Sequence, residues 1–365
     1  MNNWQTKKLG EIISLDYGKG LTEKVRISGD ISVYGSNGLV GTHNIKLVDG
    51  PGIIVGRKGS IGEVVWSDND FWPIDTTYYI RLLQNNELRY IYFLLQTLKL
   101  TSLNKASGVP GLNRNDVYQI TVKLPSITIQ KQIVKKLDTI KKLQELNQKE
   151  IEKAEELFNS LLNINLTKKK EWKEFNLEDL CTVTSSKRIY VSEYVSQGIP
   201  FFRSKEIVEL ANNREIKTEL FISLKRFNEL KSKFGAPQQG DILMTAIGTI
   251  GEIYMVKVPM EFYFKDGNVL WLKNFKKVYS SFLKFSLKVV IKKLKQASSG
   301  SAYKALTIDS LKKIIISIPP SNEQKRIVSE FEMSESNTTT LIKQKQLLTE
   351  LFESTLNKLM KPIKI

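Results

Sequence analysis

The stretch Gln130–Leu162, QKQIVKKLDTIKKLQELNQKEIEKAEELFNSLL, decides the fold of this chain. Its apolar residues alternate four and three positions apart, which is the a/d pattern of a coiled coil, and polar residues interrupt the pattern at Gln144 and Asn147. No Gly or Pro occurs in it, and Lys, Glu and Gln, which favour helices, fill the other positions. The pattern predicts a long uninterrupted helix within a rod of roughly 50 Å.

The chain contains this helix twice. At one constant offset and without a gap, the matching pairs are Pro125 and Pro319, Gln130 and Gln324, Ile133 and Ile327, and Val134 and Val328. Because the chain supplies its own matching helix, we expect the two rods to pair within one molecule. The stretch Met333–Thr340 is rich in Ser and Thr, which are poor helix formers, so it predicts a bend or fraying in the second rod.

Each rod follows a segment with short strand patterns and Gly-rich turns, and the first segment also contains a helical pattern at Leu88–Leu100. We therefore predict an α+β protein with two mixed α/β globular domains. The predicted divisions are residues 1–125, the first helix at 126–167, residues 168–320, and the second helix at 321–365.

The net charge of +17 indicates a polyanionic partner, and nucleic acid fits best. Most of the excess falls in the second globular segment. No apolar run is long enough to cross a bilayer and the N-terminus does not resemble a signal peptide, so we expect a cytoplasmic protein. A single Cys181 excludes an internal disulfide, and Cys181 with His43 leaves too few ligands for an ordinary zinc site.

Two glycine turns correspond to each other in the globular segments, Gly59-Ser60-Ile61-Gly62 and Gly248-Thr249-Ile250-Gly251. Their glycines predict tight turns with positive φ. The same turns are also suited to bringing Arg57, Lys58, Thr245 and backbone amides close to DNA phosphates.

Two further kinds of loop are candidates for DNA contact. The loops 107–114 and 298–304 are small and rich in hydrogen-bond donors, which suits entry into a groove, although they are equally suited to being flexible connections. Basic pairs in the second segment are commonly only solvated surface charge. The predicted DNA-contacting residues are Asn37, His43, Arg57, Lys58, Ser60, Asn113, Arg114, Lys187, Arg188, Arg203, Lys205, Thr245, Thr249, Ser301, Tyr303 and Lys304.

The sequence contains no recognisable catalytic motif. The turn Gly56–Gly62 lacks the Gly-Lys-Ser/Thr ending of a phosphate-binding P-loop, and Pro319-Pro320 lacks the flanking residues of an amino-methyltransferase. No nucleophile accompanies His43 at a recognisable spacing, so we expect a surface or turn histidine. Catalysis by this chain alone is therefore not expected, and we predict no metal site.

The order of motifs resembles one family, the specificity (S) subunit of type I restriction-modification systems. The residues that carry the resemblance are Trp4 with Lys8–Ile12, Tyr34–Gly38, Gly52–Gly62, Leu124-Pro125 with Gln130 and Ile133-Val134, and in the second half Trp172, Gly240–Leu243, Gly248–Gly251, and Ile318–Pro320 with Gln324 and Ile327-Val328. The resemblance covers the whole chain. No single motif is specific to this family, but the order of the motifs is, and that order occurs twice in the chain.

The resemblance implies a non-catalytic subunit in which each globular domain is a target recognition domain for one half of a split DNA sequence. The helices would pack antiparallel as an intramolecular coiled coil, set the spacing and dock two modification (methyltransferase) subunits. Restriction subunits would complete the assembly, with S-adenosylmethionine and ATP bound by partner chains. The predicted spacer and docking residues are Ile133, Leu137, Ile140, Asn147, Ile151, Phe158, Ile327, Phe331, Leu348 and Phe352.

Two alternatives remain open from the residues alone. The first is a DNA nuclease or methyltransferase with an unrecognised active site, which would modify or cut DNA without a partner. The second is a coiled-coil DNA-binding regulator in which the rods pair between chains, and a monomeric mass would count against it.

Overall fold

The computed structural model describes residues 4–103, 111–167, 169–257, 260–297 and 306–360. The chain forms two compact units, one of Met1–Glu150 with Leu341–Ile365 and the other of Ile151–Thr340. Each unit therefore contains one globular part and one portion of each long helix. The described helices include none that is long and apolar enough to cross a membrane.

Within its described residues, the first globular part has nine strands and two α-helices before the first long helix, α3, at Ile127–Asn165. The strands are β1 Gln5–Lys8, β2 Ile13–Tyr17, β3 Ile31–Gly35, β4 Gly38–His43, β5 Gly52–Gly56, β6 Val64–Ser67, β7 Phe71–Pro73, β8 Thr77–Leu82 and β9 Thr121–Leu124. The helices are α1 Leu88–Thr97 and α2 Arg114–Tyr118.

The described residues of the second globular part form ten strands and five α-helices before the second long helix, α9, at Ser321–Met360. Its strands are β10 Lys173–Asn176, β11 Thr182–Ser185, β12 Tyr194–Val195, β13 Ile199–Phe202, β14 Phe221–Ile222, β15 Ile242–Thr245, β16 Ile253–Met255, β17 Tyr263–Phe264, β18 Val269–Lys273 and β19 Ile315–Ile318. Its helices are α4 Leu177–Leu180, α5 Ser204–Ala211, α6 Leu224–Phe234, α7 Ser280–Ala297 and α8 Ile308–Lys312.

The main sheet of each unit has the same arrangement. The first is an antiparallel sheet in the order β2-β8-β5-β6, and the second follows β11-β18-β15-β16. An antiparallel two-stranded ribbon joins the start and end of each globular part, β1 with β9 and β10 with β19. The units differ in their remaining sheet, β4-β3-β7 in the first and β12-β14-β13-β17 in the second.

A buried glutamine holds the start of each long helix in the same way. Gln130 donates to the carbonyl of Pro125 and accepts from the backbone N–H of Glu87. Gln324 donates to the carbonyl of Pro319 and accepts from the N–H of Tyr279. Because each glutamine is almost fully buried and satisfied, it ties the helix to the loop preceding α1 or α7.

The long helices pack antiparallel within each unit. In the first unit the Asn147 amide donates to the carbonyl of Leu341 and the Gln144 amide to that of Leu348, each at 3.3 Å. In the second unit Asn165 donates to the Glu330 carboxylate at 3.3 Å, and the rings of Phe158 and Phe331 pack edge to face. The predicted fold class, including the intramolecular antiparallel coiled coil, is confirmed.

The predicted seam residues form the buried side of α3, and the neighbouring apolar stripe stays exposed. Ile133, Leu137, Ile140 and Ile151 are all buried. The exposed residues of the neighbouring stripe are Leu143, Leu146 and Leu157.

The predicted bend or fraying at Met333–Thr340 is wrong, because α9 is continuous through this stretch. The hydroxyls of Thr338, Thr339 and Thr340 each donate to a carbonyl four residues earlier. These bonds satisfy the hydroxyls within the helix, so the side chains do not compete for its backbone N–H groups. Glu335, in the same stretch, also bonds Lys284 and Lys288 of α7 at 2.7 Å each.

We expect Glu335→Gln to loosen this part of α9. Burial alone would raise the pKa of Glu335, but Lys288 and Lys284 hold that pKa below its ordinary value. The carboxylate therefore stabilises the fold above the ordinary carboxyl pKa, and this stabilisation disappears as the pH falls through the lower folded pKa. The substitution leaves two partly buried lysines without a counter-charge and should cost about 2 kcal/mol.

Hydrogen exchange at neutral pH tests this expectation. The amides of residues 333–340 should exchange roughly thirtyfold faster in Glu335→Gln, as about 2 kcal/mol implies. Glu332→Gln, at an exposed neighbouring position, is the matched control and should leave exchange unchanged. Equal exchange in the two variants would show that the pairing does not hold the helix.

Candidate nucleic-acid interface

The glycine turn of the first unit links β5 to β6 in a closed hydrogen-bonded shape. The N–H of Gly62 donates to the carbonyl of Gly56 at 2.8 Å, and that of Ile61 donates to Gly59 at 2.9 Å. Gly59 and Gly62 both have φ of +74°. A Cβ on Gly62 would lie 2.6 Å from the backbone at Leu100. The predicted turn is confirmed, and Gly62 is required both by its φ and by its neighbours.

The turn of the second unit, between β15 and β16, repeats this geometry. The N–H of Gly251 donates to Thr245 at 2.8 Å, and that of Ile250 to Gly248 at 2.9 Å. The φ values are +79° at Gly248 and +78° at Gly251. Both glycine turns thus share one backbone, while the side chains at the positions of Arg57 and Lys58 are Ala246 and Ile247.

An arginine–tyrosine cluster lies beside the first turn. The guanidinium carbon of Arg57 is 5.1 Å from the centre of the Tyr17 ring and 5.8 Å from that of Tyr78. Arg114 approaches the same Tyr17 ring at 5.1 Å. Tyr17 is half exposed, at 50%, so the cluster offers two cations and an aromatic face to solvent.

Hydrogen bonds from Tyr78 and Arg57 hold the cluster in place. The hydroxyl of Tyr78 donates to the carbonyl of Leu112 at 3.1 Å. Burial, together with the neighbouring Tyr17, raises the pKa of Tyr78 to about 12, so this hydroxyl stays protonated at neutral pH. Arg57 also donates to the carbonyl of Asp75. These bonds hold the guanidinium against the two rings.

Sequence reasoning missed Tyr17 and Tyr78. The only available signal was the position of Tyr17 at the end of a strand pattern, directly before Gly18-Lys19-Gly20. Nothing in the sequence places that strand beside the glycine turn, because β2 contacts it only through β8 and β5 in the sheet.

The other predicted contacts of the first unit differ in accessibility. Asn37, Lys58 and Ser60 are exposed on turns. Asn113 is exposed, but its side chain accepts the N–H of Asn115 and caps α2. The expectation of a surface histidine is wrong: His43 is buried, accepts the N–H of Ile27 through Nδ1, and packs edge to face against Trp72. His43 therefore has a packing role.

Of the four predicted basic contacts that the structure describes in the second unit, three are paired with carboxylates. Arg188 contacts Asp266 at 3.1 Å, and Lys205 contacts Glu219 at 3.0 Å. Hydrogen bonds to Glu206 and Glu219 raise the pKa of Arg203, which begins α5 in a capping arrangement with the buried Glu206. Arg203 thus has a structural partner.

Lys187 is exposed, with its ammonium 4.8 Å from the centre of the Phe234 ring. The two predicted contacts on the second turn differ in their exposure to solvent. Thr249 is exposed, but Thr245 is fully buried, and its hydroxyl accepts the N–H of Glu252 at 3.0 Å. A buried side chain offers no atoms to DNA, so Thr245 holds the turn instead. Ser301, Tyr303 and Lys304 lie outside the described residues, as does the whole loop 298–304.

The predicted spacer residues face the interior of the chain. In the first unit Ile133, Leu137 and Phe352 pack into the core beneath the main sheet, and in the second Ile327 and Phe331 do so. Of the other five, Ile140, Asn147 and Ile151 are buried, and Phe158 and Leu348 are partly buried. Their contacts suit them to join helix to helix and helix to domain, and leave them little surface for another subunit.

The described residues include neither a cluster suited to a metal ion nor an activated thiol. No group of three or more His, Cys, Asp or Glu side chains in the described stretches is placed to hold a metal. Burial raises the pKa of the Cys181 thiol to about 12, so it is protonated and a poor nucleophile.

The family model for the type I restriction modification DNA specificity domain matches residues 1–156 and 169–351. The chain belongs to this family. Members of this family are non-catalytic parts of a restriction-modification complex that confer DNA sequence specificity, so this is the role of the chain. As a member of the family, it carries two matched domains, each beginning before the first ribbon strand and ending within a long helix.

Known proteins agree with the assignment of the chain to this family. The chain is 27% identical over 344 residues to a putative type I restriction enzyme specificity subunit of Haemophilus influenzae, covering 88% of this chain and 85% of that protein. It is 25% identical over 222 residues to the EcoDI specificity subunit of Escherichia coli, covering 58% of this chain and 47% of the relative.

Solved structures share the fold. A type I S subunit from M. genitalium aligns with a TM-score of 0.66 at 16% identity, covering 98% of this chain and 96% of the other. A structure from work on complex assembly and conformational transition of the type I restriction-modification system aligns with a TM-score of 0.62 at 16% identity, covering 98% and 97%.

Proposed function

We propose that the chain reads a bipartite, asymmetric DNA target, with each globular domain reading one half. The observation that carries the proposal is the pair of glycine turns, which share a backbone but present different side chains. The first presents Arg57 and Lys58 beside Tyr17, whereas the second presents Ile247, with Ala246 fully buried at the position of Arg57. One scaffold with two different surfaces is what two unlike half-sites require.

In this proposal the domains are residues 1–125 and 168–320, and the long helices at 126–167 and 321–365 set the gap between half-sites. The contacts in the first domain come from Arg57, Arg114 and the exposed residues of the turns, to which we add Tyr17. In the second domain they come from Lys187, Arg188 and Thr249, with the loop 298–304.

The helices also dock two modification subunits in this proposal, on faces that the chain leaves uncovered. Exposed apolar side chains support it, since such residues favour burial by a partner. They are Leu143, Leu146, Ile342, Leu347 and Leu351 in the first unit, and Leu157, Ile164 and Met333 in the second. The modification subunits would supply methylation with S-adenosylmethionine, and restriction subunits would supply ATP-dependent cutting, in the cytoplasm.

Selection from a random duplex library tests the proposal. The chain, purified with its modification subunits, should enrich one sequence made of two unlike half-sites with a fixed gap. Enrichment of a single contiguous site, or no enrichment, would contradict it. Methylated positions in the host genome, read base by base, should show the same bipartite sequence.

A matched pair of substitutions tests the assignment of domains to half-sites. Arg114→Gln should relax only the first half-site and Arg188→Gln only the second, each weakening binding by about 1–3 kcal/mol if the arginine contacts a base. The readout is the selected sequence of each variant. If either substitution altered both halves, the two domains would not be independent readers.

A further inference from the structure

The end of α7 carries positive charge that the fold does not neutralise. Earlier in the helix, Lys284 and Lys288 are paired with Glu335. Lys292, Lys293 and Lys295 follow, all three exposed, and none forms an ion pair with a residue in the described part of the chain. The Lys292 ammonium donates only to the side-chain oxygen of Asn159, at 3.2 Å. Three like charges within one turn repel one another, so an anionic partner would stabilise them.

Two members of this lysine cluster, Lys292 and Lys295, lie beside the second glycine turn, whereas Lys293 lines a separate cavity with Phe158 and Leu162 of α3. A Cβ built on Gly251 would be 3.4 Å from Cε of Lys295 and 3.6 Å from its ammonium. Lys292 and Lys295 also line an open cavity with Gly251 and Glu252. Glu252 is the one carboxylate among the described residues of that cavity, and Lys288 is there too, so the balance is positive.

Among its described residues the first unit has no equivalent cluster: one exposed lysine, Lys99, directly precedes Leu100, and the remaining positive charge lies on the turn itself. There Gly62 packs against the short helical segment Leu100–Leu103, which carries no lysine. The basic residue of α1, Arg89, is paired with Asp138 at 3.0 Å and lies 4.4 Å from the ring centre of Trp66. Arg57 and Lys58 are the basic residues at that turn.

The basic residues near the two glycine turns therefore belong to different structural elements. In the first unit Arg57 and Lys58 lie on the turn, and in the second the lysines lie on the two-turn extension by which α7 exceeds α1. The second turn has Ala246 and Ile247 where the first has Arg57 and Lys58, and the helix beside it carries the lysine cluster.

We propose that Lys292 and Lys295 form the phosphate-contact site by which the second recognition domain holds duplex DNA beside the bases that it reads. The inference rests on the proposed function and adds that different residues supply affinity and sequence preference. A lysine is a flexible point charge that fits a phosphate without selecting a base. These two lysines thus supply affinity, and the neighbouring loops supply sequence preference.

The salt dependence of DNA binding tests the inference. The double variant Lys292→Gln/Lys295→Gln removes both lysines beside the turn and leaves Lys293 in place. We expect the slope of log affinity against log salt to become about two smaller in magnitude, since each phosphate contact contributes roughly 0.9. Between about 50 and 200 mM salt the variant should lose roughly tenfold less affinity than the wild type does. The selected half-sites should be unchanged.

The full chain assembled with its modification subunits is titrated against a fluorescein-labelled duplex bearing the selected target. The control, Lys173→Gln/Lys313→Gln, removes two exposed lysines at the β10–β19 ribbon of the same unit and should keep the wild-type slope. A wild-type slope in the α7 variant, or an equal loss in the control, overturns the inference. So does an altered half-site, which would indicate base reading.

Release of a modification subunit from the α7 variant, with an unchanged slope, would assign the lysines to an acidic protein surface and also overturn the inference. Failure of the proposed function has a different signature. In that case the wild-type complex itself would select no bipartite sequence, whatever the behaviour of the lysine variant.

Discussion

Removing one heptad from each long helix should shorten the gap between the two half-sites by about three base pairs, because seven residues span about 10.5 Å of helix and a base pair about 3.4 Å of DNA. The segments to remove are Gln144–Glu150 and Leu341–Leu347, which face each other: Asn147 bonds the Leu341 carbonyl and Gln148 bonds Lys345. The half-sites themselves should remain the same.

Affinity should fall in this variant. Three base pairs rotate the groove by roughly a third of a turn, whereas removing a heptad leaves the helix faces nearly in phase, so the DNA must twist to meet both domains. Selection from a duplex library with variable gaps measures both effects.

Insertion of a heptad at the same place is the matched control, and it should lengthen the gap by about three base pairs. An unchanged gap in either variant would show that the length of the helices does not set the spacing between half-sites. Altered half-sites with an unchanged gap would instead mean that the deletion had disturbed the domains.

The substitution Gly62→Ala should disrupt the first recognition domain, and Gly59→Ala should not. Both glycines have φ of +74°, which costs an alanine roughly 1–2 kcal/mol. Only at Gly62 does the added Cβ also meet backbone atoms, at 2.6 Å, while no atom lies within 4 Å of a Cβ at Gly59. The total cost at Gly62 should therefore exceed about 3 kcal/mol.

Protection of the β5 and β6 amides from hydrogen exchange measures that cost, and selection measures its consequence. Gly62→Ala should lose the first half-site and keep the second. Gly251→Ala and Gly248→Ala make the same comparison in the second unit. A Cβ on Gly251 would be 2.4 Å from Ile291, whereas a Cβ on Gly248 would have no described neighbour within 4 Å. Equal effects of the two substitutions within a unit would show that the contact behind the turn does not matter.

Most of the architecture was predictable from the residues. The a/d pattern and its second copy predicted two long helices, which span Ile127–Asn165 and Ser321–Met360. The glycine turns were also predicted, because positive φ at a tight turn selects glycine locally. These features depend on spacing along the chain, and spacing is visible in a sequence.

Features that depend on contacts across the fold were missed. The Met333–Thr340 stretch is helical because Glu335 meets two lysines of α7, which intrinsic propensity does not describe. His43 is buried because Trp72 covers it. Arg203 looked free, but its carboxylate partners Glu206 and Glu219 are brought to it by α5 and the loop before β14.

The sequence by itself determined the repeated plan of domain and helix, the family, and the two turns at which DNA contact is proposed. Tertiary structure alone decided which charges at those turns are free. An ion pair or a buried imidazole depends on distances between residues far apart in the chain, and no local pattern encodes them. For that reason the Tyr17 cluster and the lysines of α7 emerged only once the strands and helices were in place.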